Sequence, residues 1–177
     1  MHRIRIIGGP GSGKSTLARA LAARLDLPVI HMDAEFWQPG WRPPAPEAWR
    51  RRIAARAAEP AWIMEGDYSR VHDLTIPPAE AVVWLDLPRR LYLSRALMRL
   101  VRYWGRQRPD MAPGCPERFD WEFLRHWVWT YPKRRAATVA AIDRLRSTKR
   151  IVVLRSPAGV RTFVAGLPGS LTAEPGD

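Results

Sequence analysis

The sequence predicts an α/β fold in which a five-stranded parallel sheet is flanked by helices. Three observations carry that expectation. Short apolar runs alternate with amphipathic stretches along the chain, the first run passes through a glycine-rich loop into a helix, and Ala81–Asp86 is apolar up to its last residue, as a strand covered on both faces must be. With 177 residues and 46% apolar content, the chain is long enough for one buried core.

Residues 3–8, RIRIIG, form the first strand; beyond the glycines, Leu17, Leu21 and Leu25 recur every four residues with Ala18 and Ala22 beside them, the pattern of a helix. Pro28–His31 is a second short strand, residues 32–46 are a Trp- and Pro-rich loop, and Pro46 to about Ala58 is a helix with proline in its first turn. Ala61–Glu65 and, after Pro77-Pro78, Ala81–Asp86 are the third and fourth strands. Pro88 opens a long helix to about Trp104, residues 105–120 are a Gly/Pro/Asp loop, and residues 121–147 are helical with a break expected near Pro132. Ile151–Leu154 is the fifth strand and Val160–Ala165 a short last helix. Residues 1–166 read as a single domain and 167–177 as a mobile tail. In such a sheet, ligands bind at the carboxyl ends of the strands.

Composition excludes several classes. No apolar run approaches the roughly 18 residues of a membrane span, the first residues lack a secretory apolar region, and a cytoplasmic protein without membrane attachment is expected. The one cysteine, Cys115, permits neither an internal disulfide nor a cysteine-based zinc site. Lysine and arginine outnumber acidic residues 29 to 17, a net charge of +12, and all but Lys14, Lys133 and Lys149 are arginine. An anionic partner and a composition rich in Ala and Arg explain that total equally well. Nucleic acid is a possible partner by charge, but no helix-turn-helix, zinc finger or other reader motif is present.

Gly8, Gly9, Pro10, Gly11, Ser12, Gly13, Lys14 and Ser15 fit G-x-x-x-x-G-K-[ST] directly after a strand and at the start of a helix. In that motif, glycines let successive backbone N–H groups turn toward phosphate oxygens, where the helix N-terminus also favours negative charge. Lys14 is expected to bridge the β- and γ-phosphates of ATP, Ser15 to offer its hydroxyl to Mg²⁺, and Thr16 to add a donor near the α-phosphate. A dinucleotide fingerprint is disfavoured, because its third glycine position is Lys14.

A chain of this length carrying GGPGSGKST near residue 10 resembles the nucleoside-monophosphate-kinase branch of P-loop folds. Further local words are His31-Met32-Asp33 with Phe36-Trp37, Pro39-Gly40-Trp41, Glu65-Gly66-Asp67-Tyr68-Ser69, Arg108-Pro109-Asp110-Met111, Gly114-Cys115-Pro116-Glu117 and Asp120-Trp121-Glu122-Phe123. Over residues 3–165 these resemble the adenylate-kinase-related proteins called DNA topology modulation or FlaR-type proteins. The resemblance implies a P-loop NTPase fold of nucleoside-monophosphate-kinase type, with residues 105–120 as a lid.

Asp33, expected to close the second strand, is the candidate base for a phosphoryl acceptor. Glu65, closing the third, is the candidate carboxylate for a magnesium-bound water, with Asp67 as its rival; Asp86 is expected to cap the next helix. Seven arginines and no acidic residue lie between Asp86 and Asp110, and Arg95, Arg99, Arg102 and Arg106 share one helix face. The resemblance implies Arg95 as an adenine-side contact, and Arg99, Arg102, Arg106 and Arg108 as phosphate clamps. A solvated basic face is the other reading of that stripe. Trp37 and Trp41 are read equally well as an acceptor pocket or as packing; Trp121, Trp127 and Trp129 as core; His31, His72 and His126 as structural; and Cys115 as a lid-packing thiol. The expected function is an ATP- and Mg²⁺-dependent phosphotransferase acting on a small-molecule acceptor, a nucleotide, nucleoside or other hydroxyl compound. The alternatives are an ATP-binding DNA topology modulation protein and a nucleotide-controlled DNA- or partner-binding switch.

Overall fold

The computed structural model describes residues 1–117 and 121–167, with side chains described at all of these except 121–124, 126–129 and 131–132. Five strands, β1 (Arg3–Gly8), β2 (Val29–His31), β3 (Trp62–Glu65), β4 (Ala81–Leu85) and β5 (Arg150–Leu154), form one parallel sheet in the order β2-β3-β1-β4-β5. The helices are α1 (Lys14–Leu25), α2 (Met32–Phe36), α3 (Pro46–Ala57), α4 (His72–Thr75), α5 (Arg89–Tyr103), α6 (Trp121–Leu145) and α7 (Pro157–Ala165), with a 3-10 turn over Ser69–Val71.

Side chains alternate between the two faces of the sheet. Ile4 and Ile6 of β1, with Ile63, Val83 and Leu154, bury against Leu17, Ala18 and Leu21 of α1, and Phe163 of α7 packs at the margin. On the opposite face, Ile30, Trp62 and Met64 pack under Trp49, Ile53 and Ala57 of α3. Ile7, Val82 and Trp84 pack under Val139 and Ile142 of α6. Every residue of β4 is buried, which accounts for its unbroken apolar run. The register sets Ile6 beside Glu65 and His31 beside Glu65, so the ends of β1, β2 and β3 open on one cleft.

The same alternation buries Arg5 completely. Its Nη1 donates to the carbonyls of Ile6 and Met64 at 2.8 and 3.1 Å, and its Nε to Thr75 Oγ1 at 3.3 Å, tying β1 to α4. Burial lowers its pKa to about 10 against the opposing pull of Asp67 and Glu65.

Several local expectations are corrected. The 32–46 stretch contains α2, so Asp33 lies in that helix's first turn, two residues beyond the end of β2. Asp86 caps nothing: α5 begins after Pro88 without a side-chain cap, and the Asp86 carboxylate instead accepts both Nε and Nη2 of Arg135 at 2.7 Å. Helix α6 runs through Pro132 without a break; one lost backbone hydrogen bond does not end a 25-residue helix. Helix α7 starts at Pro157, capped by the Ser156 side chain, which accepts from the Gly159 N–H at 3.0 Å. The tail at 168–177, residues 118–120 of the expected lid, and the side chains of Trp121, His126, Trp127 and Trp129 lie outside the described residues.

Candidate functional site

The glycine-rich loop leaves β1 at Gly8 and enters α1 at Lys14, where Gly13 stands at the helix cap in the left-handed region, φ 95°. Gly11, φ 76°, passes so close to α5 that a Cβ there would lie 2.5 Å from the Tyr92 carbonyl oxygen. This geometry turns the first amides of α1 toward the loop's concave side. Lys14 Nζ folds over the loop and donates to the Gly9 carbonyl at 3.0 Å. Arg95 Nη1 donates to the Ser12 carbonyl at 3.3 Å, which seats this guanidinium against the phosphate loop. The Ser12 hydroxyl is buried and has no hydrogen-bond partner.

Ser15, in the first turn of α1, places its Oγ 3.0 Å from Glu65 Oε1 and 2.9 Å from Asp110 Oδ2. Glu65 is 3% exposed and lies 2.7 Å from His31 Nδ1. Burial pushes its carboxyl up, but the His31 hydrogen bond and the Lys14 charge outweigh this and hold it below the ordinary range. Glu65, and not Asp67, is therefore the carboxylate that meets Ser15; Asp67 lies 3.9 Å from His72 and lines a recess with Gly8, Gly9 and Asp86 on another side of the loop's start. His31 thus supports a site carboxylate as well as the fold.

Asp33 accepts a 2.7 Å hydrogen bond from the Tyr68 hydroxyl. Desolvation and the charge of Glu65 raise its pKa, opposed by Tyr68, Lys14 and Arg108. The charges of Glu65, Lys14 and Arg108 reach Asp33 because it shares the cleft with the phosphate loop.

Of the arginines on and after α5, Arg99 and Arg108 turn inward. Arg108 is 8% exposed; its Nε and Nη2 donate to Asp110 at 3.1 and 2.7 Å, and its Nη1 to Glu117 at 2.9 Å. Arg99 Nε donates to Glu117 at 3.2 Å. Arg102 and Arg106 are exposed, Arg102 with its guanidinium 5.7 Å from the Tyr103 ring centroid.

The loop that carries Arg108 and Asp110 is closed on itself and docked. Gln107, which the sequence did not single out, uses its side-chain amide to donate to the carbonyls of Arg108, Met111 and Ala112 and to accept from the Cys115 N–H. The loop seats on residues 37–41: the Gly40 N–H donates to the Gly114 carbonyl at 2.8 Å and Trp41 Nε1 to the Pro116 carbonyl at 3.0 Å. Met111, Ala112 and Cys115 are buried there against Trp37 and Trp41. The two tryptophans are therefore packing elements, and Cys115, as expected, is a buried thiol of the loop.

Backbone amides and Lys14 suit an anionic phosphate, and the Ser15, Glu65 and Asp110 oxygens are the hard donors that Mg²⁺ prefers. Among the described residues, no group of three or more His, Cys, Asp and Glu side chains is arranged to hold an ion by itself, so a cation here would draw on the Ser15 hydroxyl and on its ligand's oxygens. No described helix is long and apolar enough to cross a membrane.

Residues 4–61 match the family described as ATPases associated with various cellular activities (AAA), a stretch running from β1 through the phosphate loop to the start of β3. Comparison with curated proteins finds no match. Among solved structures, the chain is similar to shikimate kinase from Aquifex aeolicus vf5, at 15% identity and a TM-score of 0.52 over 92% of this chain and 94% of that one. It is also similar to a gluconokinase from Sinorhizobium meliloti 1021, at 19% identity and 0.50 over 93% and 94%. A sugar kinase from Janibacter sp. HTCC2649 gives 18% identity and 0.50 over 93% of each chain. The fold is that of P-loop kinases.

Proposed function

We propose that this protein is an ATP- and Mg²⁺-dependent phosphotransferase that moves the γ-phosphoryl group to a small-molecule acceptor. The observation that carries the reading is the convergence of a phosphate loop, the Ser15–Glu65 pair and the Asp33 carboxylate in one cleft at the carboxyl end of the sheet. Lys14 and the backbone N–H groups of Gly9 and residues 11–15 hold the β- and γ-phosphates. Ser15 and Glu65 are the residues that would hold Mg²⁺, whose charge offsets that of the phosphates when bound. Asp33 accepts the proton of the acceptor hydroxyl as that oxygen bonds the γ-phosphorus and the bond to the β–γ bridging oxygen breaks, leaving ADP. Its raised pKa brings it nearer to the working range of a general base. Arg99 and Arg108, partly or wholly buried beside Glu117 and Asp110, are the candidates to hold oxygens of the transferring group, whereas Arg102, on α5, and Arg106 stay exposed. Arg95, against the Ser12 carbonyl, lies on the nucleotide side.

The kinase folds of the similar structures support this reading, and so does the resemblance of residues 3–165 to adenylate-kinase-related proteins. The DNA topology modulation reading draws on the +12 charge and on the exposed Arg102 and Arg106. One paired experiment tests both: phosphotransfer from ATP–Mg²⁺ to panels of nucleotides, nucleosides, sugars and small alcohols, run beside a salt-titrated DNA-binding assay. Transfer to one acceptor class is expected. Absence of transfer together with DNA affinity that falls steeply with salt would replace the kinase reading.

A further inference from the structure

Ser15 Oγ lies within 3.0 Å of two carboxylates, one from the sheet and one from the docked loop. A hydroxyl has one proton, so it serves one of these oxygens, and the other contact brings two oxygens together with no hydrogen between them. Asp110 is not a surface side chain that happens to swing in. It is 8% exposed, the Arg108 fork fixes its carboxylate plane, and the Gln107 amide and the Gly40–Gly114 hydrogen bond fix the loop around it.

We propose that Asp110 is a loop-borne ligand of the divalent cation held at Ser15 and Glu65, so that cation binding and docking of the 105–117 loop stabilise each other. The proposal rests on reading the cleft as an ATP–Mg²⁺ site. Three oxygens from three separate elements, α1, β3 and the loop, then surround one position, and the ion is bound fully only when the loop is down. By linkage, the cation must favour the docked loop by the same factor that docking favours the cation.

The opposite arrangement is physically distinct: Asp110 would occupy the cation's place as a latch, and the cation would expel it. The lone cysteine separates the two. Cys115 is 0% exposed in the dock, so a thiol reagent reaches it only when the loop lifts. The full chain, free of nucleotide, is labelled with an aromatic disulfide reagent across a Mn²⁺ titration, and Mn²⁺ affinity is measured independently by electron paramagnetic resonance. In the wild type, labelling is expected to slow as Mn²⁺ is added and to level off at the factor by which docking tightens the ion, at least about tenfold.

Asp110→Asn is expected to weaken Mn²⁺ binding by at least about tenfold and to make labelling indifferent to the ion. The ratio of rates with and without Mn²⁺ is what is read, so a variant whose loop docks less well still reports the coupling. Glu65→Gln is expected to lose the Mn²⁺-dependent protection as well, read again as the ratio of rates with and without the ion. Wild-type labelling that is unchanged or accelerated by Mn²⁺, or protection retained in Asp110→Asn, would overturn the proposal. ATP binding and phosphotransfer, measured on the same preparation, fail or succeed separately and so report on the kinase reading alone.

Discussion

The Tyr68 hydroxyl donates to the Asp33 carboxylate across 2.7 Å and so joins the loop after β3 to the first turn of α2. Because this hydrogen bond favours the ionised carboxylate while desolvation and Glu65 oppose it, Tyr68 sets where Asp33 gains its proton. Tyr68→Phe is expected to move the acid limb of the pH–rate profile to higher pH. Asp33→Asn is expected to lower phosphotransfer by roughly 10²–10⁴-fold while ATP affinity stays within a few-fold. Full transfer activity in Asp33→Asn would reduce Asp33 to a structural residue.

The same shift has a consequence for stability. A carboxyl whose folded pKa is raised binds its proton more tightly in the folded than in the unfolded chain, so it costs stability as pH rises from the unfolded toward the folded pKa. Above that window the cost is complete, and below it the cost is absent. Asp33→Asn is therefore expected to raise Tm at neutral pH and to leave it near the wild-type value at pH below the ordinary carboxylate range. Melting curves across pH check this, and a loss of Tm at neutral pH would contradict it.

In the phosphate loop, Lys14→Ala is expected to remove most nucleotide affinity or turnover with the fold retained, since among the described residues the ammonium's hydrogen bond goes to the Gly9 carbonyl of the loop itself. Gly11→Ala is expected to cost about 1–3 kcal/mol, because the new Cβ would press on the Tyr92 carbonyl of α5 from a backbone that disfavours any side chain. Thermal melting with and without ATP distinguishes the two variants: the first loses the ligand-induced shift, and the second loses basal stability.

The arginines separate kinase from DNA-binding behaviour. Arg99→Ala and Arg108→Ala are expected to lower turnover more than ATP affinity, with poor rescue by lysine, whose point charge does not reproduce the guanidinium fork. Arg102→Ala and Arg106→Ala, at exposed positions, are expected to leave turnover within a few-fold. If DNA is the partner, these two variants instead flatten the salt dependence of DNA affinity by about one unit of slope per lost phosphate contact.

Away from the cleft, Asp86 is 3% exposed and takes both of its short hydrogen bonds from Arg135, which is 45% exposed. Arg135→Ala is expected to destabilise the fold by about 1–3 kcal/mol, the cost of leaving a buried acceptor short of donors, moderated by Arg155 at 3.7 Å. Chemical denaturation measures it. A change below about 0.5 kcal/mol would mean that water replaces the guanidinium.

The parallel sheet and the phosphate loop were legible because each is written locally, in runs of apolar residues and in a motif whose spacing fixes its shape. Glu65 was legible as a site residue because strand ends face the cleft, but its preference over Asp67 depended on the register that sets it beside His31. Asp110 was not legible in that role: its contact with Ser15 spans 95 residues and depends on how a loop folds around Gln107. Arg5 was hidden for a different reason. Charge in an alternating strand reads as a solvent face, and only α4 lying across it makes that face interior.

Strand β1 sits at the centre of the sheet, with Ile4 paired to Ile63 on one side and to Ala81 on the other. During synthesis β1 precedes both of its neighbours, β3 and β4, by tens of residues. Its backbone donors and acceptors stay with water until β3 and β4 arrive, and long-range parallel pairing of this kind is slow to nucleate. A fragment of residues 1–61 contains the complete phosphate loop and none of the strands that flank β1, so it is expected to show no cooperative melting and no ATP-induced protection. The phosphate loop thus acquires its working shape only after β3 and β4 have left the ribosome.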